Sequence, residues 1–279
     1  MRSCIKYFGG KGNGLGFEIY QYFPAKDQYD VYIEAFGGAG NLLLIKEPFG
    51  IEVYNDLEKN VYSLFKVISN KDLFFKFKEL CDLSIYSRFL RDEYKENLKK
   101  EDMELVERAY KYFYVNRTSR NGIGGFARTM ECVRRNMSKS VSDFLSSIDG
   151  LYEMHNRLSR VIVENLDAIE LIKDSDRDRT FIYADSPYSQ DVRSGTRYKV
   201  DMDNKQQKKY IDTLINMKKA KVLVSGYECE LYELLCKNGW TKINIKVNTV
   251  DGNGKPKTKI ESLWKNYGSC PDEKYNLWS

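Results

Sequence analysis

Asp185-Ser186-Pro187-Tyr188 sets a carboxylate, a hydroxyl, a turn-forming proline and an aromatic ring in four consecutive positions. The run before it, Thr180-Phe181-Ile182-Tyr183-Ala184, is β-branched and aromatic and predicts a buried strand. Ligands of open α/β sheets bind outside the carboxyl ends of the strands. A carboxylate and a neighbouring carbonyl at such an end accept hydrogen bonds from a flat amine, and the ring stacks on the amine's owner. Taken alone, Asp-Ser-Pro is equally ordinary turn chemistry. The upstream sequence has to decide between the two.

Two upstream stretches carry compatible chemistry. Val31-Tyr32-Ile33-Glu34-Ala35-Phe36 predicts a strand, Gly37-Gly38-Ala39-Gly40-Asn41 a glycine-rich turn, and Leu42-Leu43-Leu44-Ile45 an apolar helix. This strand, turn and helix form a nucleotide-cofactor turn, although the GxGxxG spacing is absent. A second strand, Gly50-Ile51-Glu52-Val53-Tyr54, ends at Asn55-Asp56. Asp56 stands at about the 20-residue distance at which a carboxylate takes ribose hydroxyls. The alternative is a βαβ unit with an ordinary glycine turn and an N-capping Asp. Nearer the start, Lys6-Tyr7-Phe8-Gly9-Gly10-Lys11-Gly12 flanks a glycine pair with lysines. It lacks P-loop spacing and reads either as an anion- or carboxylate-contacting segment or as a flexible basic terminus.

The elements that position these residues alternate between strands and helices, with one interruption. Leu57 to Ser69 predicts a helix, with Val61, Leu64, Phe65 and Ile68 on one face. From about Lys71 to Asn156 the chain reads as helical, charged and aromatic, without a convincing strand. This predicts a helical insert over 71–156 in a catalytic domain of 1–70 and 157–279. Between Lys111 and Lys139 the basic residues Arg117, Arg120, Arg128, Arg134 and Arg135 face a single acid, Glu131. Tyr112, Phe113, Tyr114 and Phe126 are interleaved, and Asn121-Gly122-Ile123-Gly124-Gly125 predicts a flexible loop. Arginine and asparagine read phosphates and base edges, and aromatics stack on bases. A solvated helix face over core aromatics is the alternative.

Alternation resumes with a strand at Val161-Ile162-Val163, then Glu164-Asn165-Leu166-Asp167, a short helix from Ala168 to Lys173 and the strand to Asp185. Residues 190–200 read as a mobile loop. Helices are expected over 204–219 and 228–237, with the strand Lys221-Val222-Leu223-Val224-Ser225-Gly226 between them. Trp240 to Val250 alternates, Asp251-Gly252-Asn253-Gly254 turns, and Thr258 to Trp264 returns, which predicts an antiparallel hairpin at a sheet edge.

Composition narrows the chemistry further. With 42% hydrophobic and 30% charged residues the chain is a globular, water-soluble one, and no apolar run reaches the about 20 residues of a membrane span. The start has no apolar signal core, so a cytoplasmic location is expected. Six cysteines without a CxxC pair argue against zinc and for reduced thiols. The single histidine, His155, reads as a surface residue, so histidine triads and histidine-rich metal sites are excluded. A net charge of +5 permits a polyanionic partner without demanding one.

KYFGGK at 6–11, EAFGGAG at 34–40, ND at 55–56 and DSPY at 185–188 stand in an order and spacing that resembles the Dam-like, D12-class DNA adenine-N6 methyltransferases. Tyr114-Val115-Asn116-Arg117-Thr118 with Asn121-Gly122, Val222 to Tyr227, and Glu261-Ser262-Leu263-Trp264 add to the likeness, which covers nearly the whole chain. The resemblance implies a Rossmann-like, S-adenosylmethionine-dependent methyltransferase sheet ending in an antiparallel hairpin, with an inserted helical DNA-recognition domain. It implies site-specific methylation of a flipped adenine in double-stranded DNA, with S-adenosyl-L-methionine as cofactor and no metal. Asp185, Ser186, Pro187 and Tyr188 would be catalytic. Tyr7, Lys11, Phe36, Gly37, Gly38, Gly40, Asp56, Asn165, Leu166, Asp167 and Asp185 would meet the cofactor. Lys6, Arg117, Arg120, Asn121, Arg128, Arg134 and Arg135 would meet DNA. Such a protein works in a bacterial or phage-infected cell. Ser186 departs from the family's usual proline: it keeps the carbonyl acceptor but loses a fixed φ, which implies retained activity with a looser loop. The alternatives are the same fold acting on RNA adenine or another planar amine or amide, and a DNA-binding relative that has lost catalysis.

Overall fold

The computed structural model describes residues 3–6, 13–130, 132–186, 202–226, 228–250 and 256–268. Its strands are β1 (Val31–Glu34), β2 (Ile51–Asn55), β3 (Val133–Arg134), β4 (Met137–Ser138), β5 (Val161–Glu164), β6 (Thr180–Ala184), β7 (Lys221–Gly226), β8 (Thr241–Val250) and β9 (Pro256–Lys265). Its helices are α1 (Asn13–Tyr20), α2 (Asn41–Ile45), α3 (Lys59–Ser69), α4 (Lys71–Asp82), α5 (Arg88–Asn97), α6 (Leu105–Thr118), α7 (Lys139–Asp149), α8 (Leu151–Leu158), α9 (Ala168–Asp174), α10 (Asn204–Ile215) and α11 (Glu230–Lys237). The fold is mixed α/β with mainly parallel pairing, Rossmann-like, and closes on an antiparallel hairpin. None of the described helices is long and apolar enough to cross a membrane.

The chain divides into two compact units. One comprises Met1–Tyr22 and Phe36–Leu166, the other Phe23–Ala35 and Asp167–Ser279. In the second unit β1 pairs parallel with β6, β6 parallel with β7, β7 antiparallel with β9 and β9 antiparallel with β8. All five residues of β6 are buried. A strand covered on both faces needs apolar side chains on both, which is why Thr180 to Ala184 does not alternate. Phe181, Tyr32 and Phe23 pack there as a ring cluster, with Phe23 edge-on to Phe181 at 4.7 Å. The β8–β9 pairing runs from Thr241↔Lys265 to Val250↔Pro256. It carries the alternation of the sequence into the expected hairpin, with the turn at 251–254 outside the described residues. The helix α10 begins at a capping box in which Asp203 and Gln206 bond each other's backbone.

In the first unit β2 pairs parallel with β5, from Glu52↔Val161 to Asn55↔Glu164. The helices of 71–156 belong to this unit. Their core includes Phe74, Phe77, Phe113, Tyr114 and Phe144. A charged cluster is buried with them. Glu52 accepts from Lys46 Nζ at 2.8 Å and from both Arg157 Nη atoms at 2.7 and 2.8 Å. Arg157 also donates to the Leu43 carbonyl at 2.8 Å, tying α2 to α8. Buried charges of this kind are tolerated when they are paired, and here both Glu52 oxygens accept, while Arg157 Nε has no hydrogen-bond partner among the described residues.

Some expectations need correction. His155 is less exposed than expected. It is half-buried, with Nδ1 2.6 Å from the Ile68 carbonyl and its ring stacked on Phe74 at 4.4 Å. The stretch 71–156 is not wholly helical, because β3 and β4 form a two-stranded hairpin. Arg135 and Asn136 make its turn, both in the left-handed region at φ 53° and 58°. That is the geometry a two-residue hairpin demands, reached here without glycine, so the sequence hides it. Helix α3 starts at Lys59 rather than Leu57, since the Glu58 side chain accepts from Val61 N and caps it. Helix α10 ends at Ile215, short of Lys219. Helix α1 was not legible, because two of its residues are glycines.

Candidate active site

In the first unit a glycine turn and a carboxylate gather at the ends of β2 and β5. Gly37 N donates to the Asn55 carbonyl at 2.7 Å, which folds the glycine turn back over the end of β2. The Tyr54 hydroxyl donates to the Gly38 carbonyl at 2.6 Å, and its ring lies against Phe65 with centroids 4.0 Å apart. A Cβ on Gly37 would stand 2.2 Å from that Tyr54 ring. Gly38 and Gly40 have φ of 49° and 63°, a region that side chains disfavour. The glycines at 37, 38 and 40 are therefore required by a close approach and by backbone shape.

Asp56 sits beneath this turn, 8% exposed. Gly38 N donates to its Oδ2 at 2.7 Å and Glu58 N to its Oδ1 at 2.8 Å. A carboxylate has about four acceptor positions, so each oxygen keeps capacity for a further donor. Burial pushes the Asp56 carboxyl up to about 7, against the lowering pull of those two N–H groups. Asn165 Nδ2 donates to the Asp56 carbonyl at 2.6 Å. Asn55 clamps Leu166, donating to its carbonyl at 3.1 Å and accepting from its N–H at 2.8 Å. Leu166 itself is exposed. Tyr112 of α6 is also near: its phenol is pushed up by burial and then by the charges of Glu58 and Asp56. Sequence reasoning placed Tyr112 among base-stacking aromatics, and only the helix packing brings it toward Asp56. Phe36 is half-buried.

The second unit places Asp185 and Ser186 directly after β6. Asp185 is half-buried and accepts from Ser225 Oγ at 2.9 Å. Ser186 is buried, with its Oγ 2.8 Å from Tyr232 Oη. Neither Ser225 nor Tyr232 was singled out for a role from the sequence. The register offers a signal, since Ala184 pairs with Val224, so Ser225 is the next residue along on β7. Asp167 is engaged elsewhere in this unit. Its Oδ1 caps α9, accepting from Ile169 N at 2.9 Å and Glu170 N at 3.2 Å. Tyr7, Lys11, Pro187 and Tyr188 lie outside the described residues, as do 190–200 and Tyr227.

The basic residues divide into half-buried and exposed groups. Lys6 Nζ donates to the carbonyls of Arg117 and Ser119 at 3.5 and 3.4 Å. Burial and the neighbouring Arg117 push its ammonium pKa down. Asn116 grips the Lys6 backbone from both sides, accepting from its N–H at 2.8 Å and donating to its carbonyl at 2.7 Å. Arg117 donates to the Asp143 carbonyl at 3.2 Å, and burial lowers its pKa. Arg120, Asn121, Arg128, Arg134 and Arg135 are exposed, and of these Arg134 pairs with Asp143 at 3.1 Å, Arg135 donates to Ser146 Oγ at 3.1 Å and Arg128 donates to Met130 Sδ. Of the interleaved aromatics, Phe113 and Tyr114 are buried in the core. The glycine loop is hydrogen-bonded to its neighbours. Arg120 N donates to the Gly125 carbonyl at 2.9 Å, Arg91 donates to the Gly124 carbonyl, and a Cβ on Gly122 would stand 2.3 Å from the Lys6 carbonyl.

The second unit thus carries a half-buried strand-end carboxylate beside a buried serine, and the first a buried carboxylate under a glycine turn. Among curated proteins none matches the chain. A family model does match it over residues 7–250, most of its length, and the chain belongs to the family that model describes, the D12 class N6 adenine-specific DNA methyltransferases.

Proposed function

We propose that the protein is a site-specific enzyme that methylates N6 of an adenine in double-stranded DNA, with S-adenosylmethionine as donor and the target base turned out of the duplex. Membership of the family gives DNA adenine methylation. The observation that carries the residue-level reading is the half-buried Asp185 carboxylate at the end of β6, held by Ser225 at 2.9 Å.

The cofactor's chemistry fits the residues of the first unit. Gly37 cannot carry a side chain beneath the turn, and Asp56 retains acceptor capacity suited to ribose hydroxyls. Phe36, Gly38, Gly40, Asn165 and Leu166 complete that set, with Tyr7 and Lys11 assigned by resemblance and Asp167 acting through its backbone. When bound, S-adenosylmethionine supplies an electrophilic methyl group.

The protein's own groups have to make a poor nucleophile reactive. Adenine's amino lone pair is delocalised into the ring. The Asp185 carboxylate and the Ser186 carbonyl accept one N–H each and favour a tetrahedral nitrogen, a stabilisation that grows toward the transition state. Tyr188 stacks on the base, and Pro187 shapes the turn between them. Residues 71–156 act as the target-recognition insert. The exposed Arg120, Asn121, Arg128, Arg134 and Arg135 meet the duplex, while Lys6 and Arg117 act near the site through what they hold.

The test is Asp185→Ala with tritiated S-adenosylmethionine and unmethylated genomic DNA. We expect transfer to vanish and cofactor affinity to stay within a few-fold. Full transfer in that variant refutes the reading, and methylation of RNA but not duplex DNA redirects it to an RNA substrate.

A further inference from the structure

We propose that Ser225 and Tyr232 are positioning residues for methyl transfer, one fixing the Asp185 carboxylate and the other Ser186, so that the two amine acceptors hold one relative orientation. The inference rests on the reading of Asp185 and Ser186 as those acceptors.

The hydroxyl protons give the first contact a direction. Ser225 Oγ donates its one proton to Asp185 Oδ1 at 2.9 Å. Tyr183 Oη lies 2.7 Å from the same Oγ, so Tyr183 must be the donor of that pair. The result is a chain from Tyr183 through Ser225 to Asp185. Tyr183 and Ser225 are 1% and 0% exposed. In such surroundings successive hydrogen bonds polarise one another, and a missing partner is costly. The chain follows from the parallel register of β6 and β7, which sets Tyr183 opposite Leu223 and Ala184 opposite Val224.

Ser186 is fixed from another element. Its hydroxyl is 2.8 Å from Tyr232 Oη, on the first turn of α11. The Tyr232 ring lies against Trp264 of β9, centroids 4.8 Å apart, and over Gly226, where a Cβ would meet it at 3.5 Å. The phenol is thus anchored by β7 and β9 before it reaches Ser186. Two neighbouring residues are each gripped by a hydroxyl some forty residues downstream. Errors of about an ångström in the placement of reacting groups cost on the order of a hundredfold in rate.

The experiment compares the wild type with Ser225→Ala, Ser225→Thr and Tyr232→Phe. Single-turnover methyl transfer to unmethylated genomic DNA is measured beside cofactor affinity by calorimetry. We expect Ser225→Ala and Tyr232→Phe to slow transfer about tenfold while the cofactor Kd stays within twofold. Ser225→Thr, which keeps the hydroxyl, should recover most of the rate. Unchanged transfer in both Ser225→Ala and Tyr232→Phe overturns the proposal, as does a loss of cofactor affinity that accounts for the whole effect. Thermal unfolding of Tyr183→Phe, Ser225→Ala and the double variant tests the hydroxyl chain without any activity. Non-additive shifts are expected, and additive ones overturn it. A wild-type chain that binds cofactor but transfers nothing to DNA sinks the functional reading instead, while the unfolding cycle still reports on the chain.

Discussion

Replacing Gly37 by alanine adds one methyl group at the tightest point of the glycine turn. That carbon would stand 2.2, 2.5 and 2.7 Å from three atoms of the Tyr54 ring. Ordinary van der Waals contact begins near 3.4 Å, so the ring or the turn must yield by about 3.4 − 2.2 = 1.2 Å. The ring has little room to do so. It is fully buried, stacked on Phe65 at 4.0 Å, and tied through its hydroxyl to Gly38 at 2.6 Å. The turn is the softer partner, and its movement displaces Gly38 N from Asp56 Oδ2. Overpacking of this kind costs about 1–3 kcal/mol. Above about pH 7, where Asp56 is ionised, loss of the Gly38–Asp56 hydrogen bond adds about 1.5–3 kcal/mol. Gly37→Ala should therefore lower the urea midpoint of the chain and weaken S-adenosylmethionine binding by at least tenfold in calorimetric titration. Gly125→Ala serves as the control, since a Cβ there meets nothing within 4 Å. Equal midpoints and equal cofactor affinities for the two variants would refute the packing argument.

Cofactor affinity should depend on pH through Asp56. Burial raises its carboxyl to about 7, so it is protonated below that pH and a full acceptor above it. Affinity is expected to rise between pH 6 and 8, and Asp56→Asn should flatten the titration. The same shift has the opposite sign for folding. The folded pKa lies above the ordinary value of 3.8, so this residue's contribution to stability falls as pH climbs from about 4 to 7. Arg157→Met leaves Glu52 buried with Lys46 as its close partner. Breaking such a cluster costs about 3–5 kcal/mol, which denaturant unfolding would register, and a shift under 1 kcal/mol would count against it. Arg135→Ala, at the exposed hairpin turn, should weaken DNA binding without base preference and reduce the salt-dependence slope by about one; an unchanged slope places the hairpin away from phosphate.

The order of the motifs, the strand-helix alternation and the terminal hairpin were legible in the sequence because local propensity and tertiary packing agree there. Thr180 to Ala184 has the residue types of a fully covered strand, and Trp240 to Val250 alternates as a half-covered one does. The charge bias of 111–139 was visible too. What each cation does with its charge was not: Arg134 pairs with Asp143 and Arg135 with Ser146 at the surface, while Lys6 and Arg117 donate to carbonyls inside the insert.

The amino-acid string by itself determined which groups exist and in what order: an acid after an apolar strand, glycines before a short helix, a second acid about 20 residues on. Tertiary structure alone decided what holds them. Ser225 reaches Asp185 because two parallel strands share a register, and Tyr232 reaches Ser186 because Trp264 supports its ring. Tyr54 makes Gly37 obligatory by lying across it. Such contacts join positions up to forty-six apart, and hydrogen bonds and steric limits act over about three ångströms, a scale at which sequence separation carries no information.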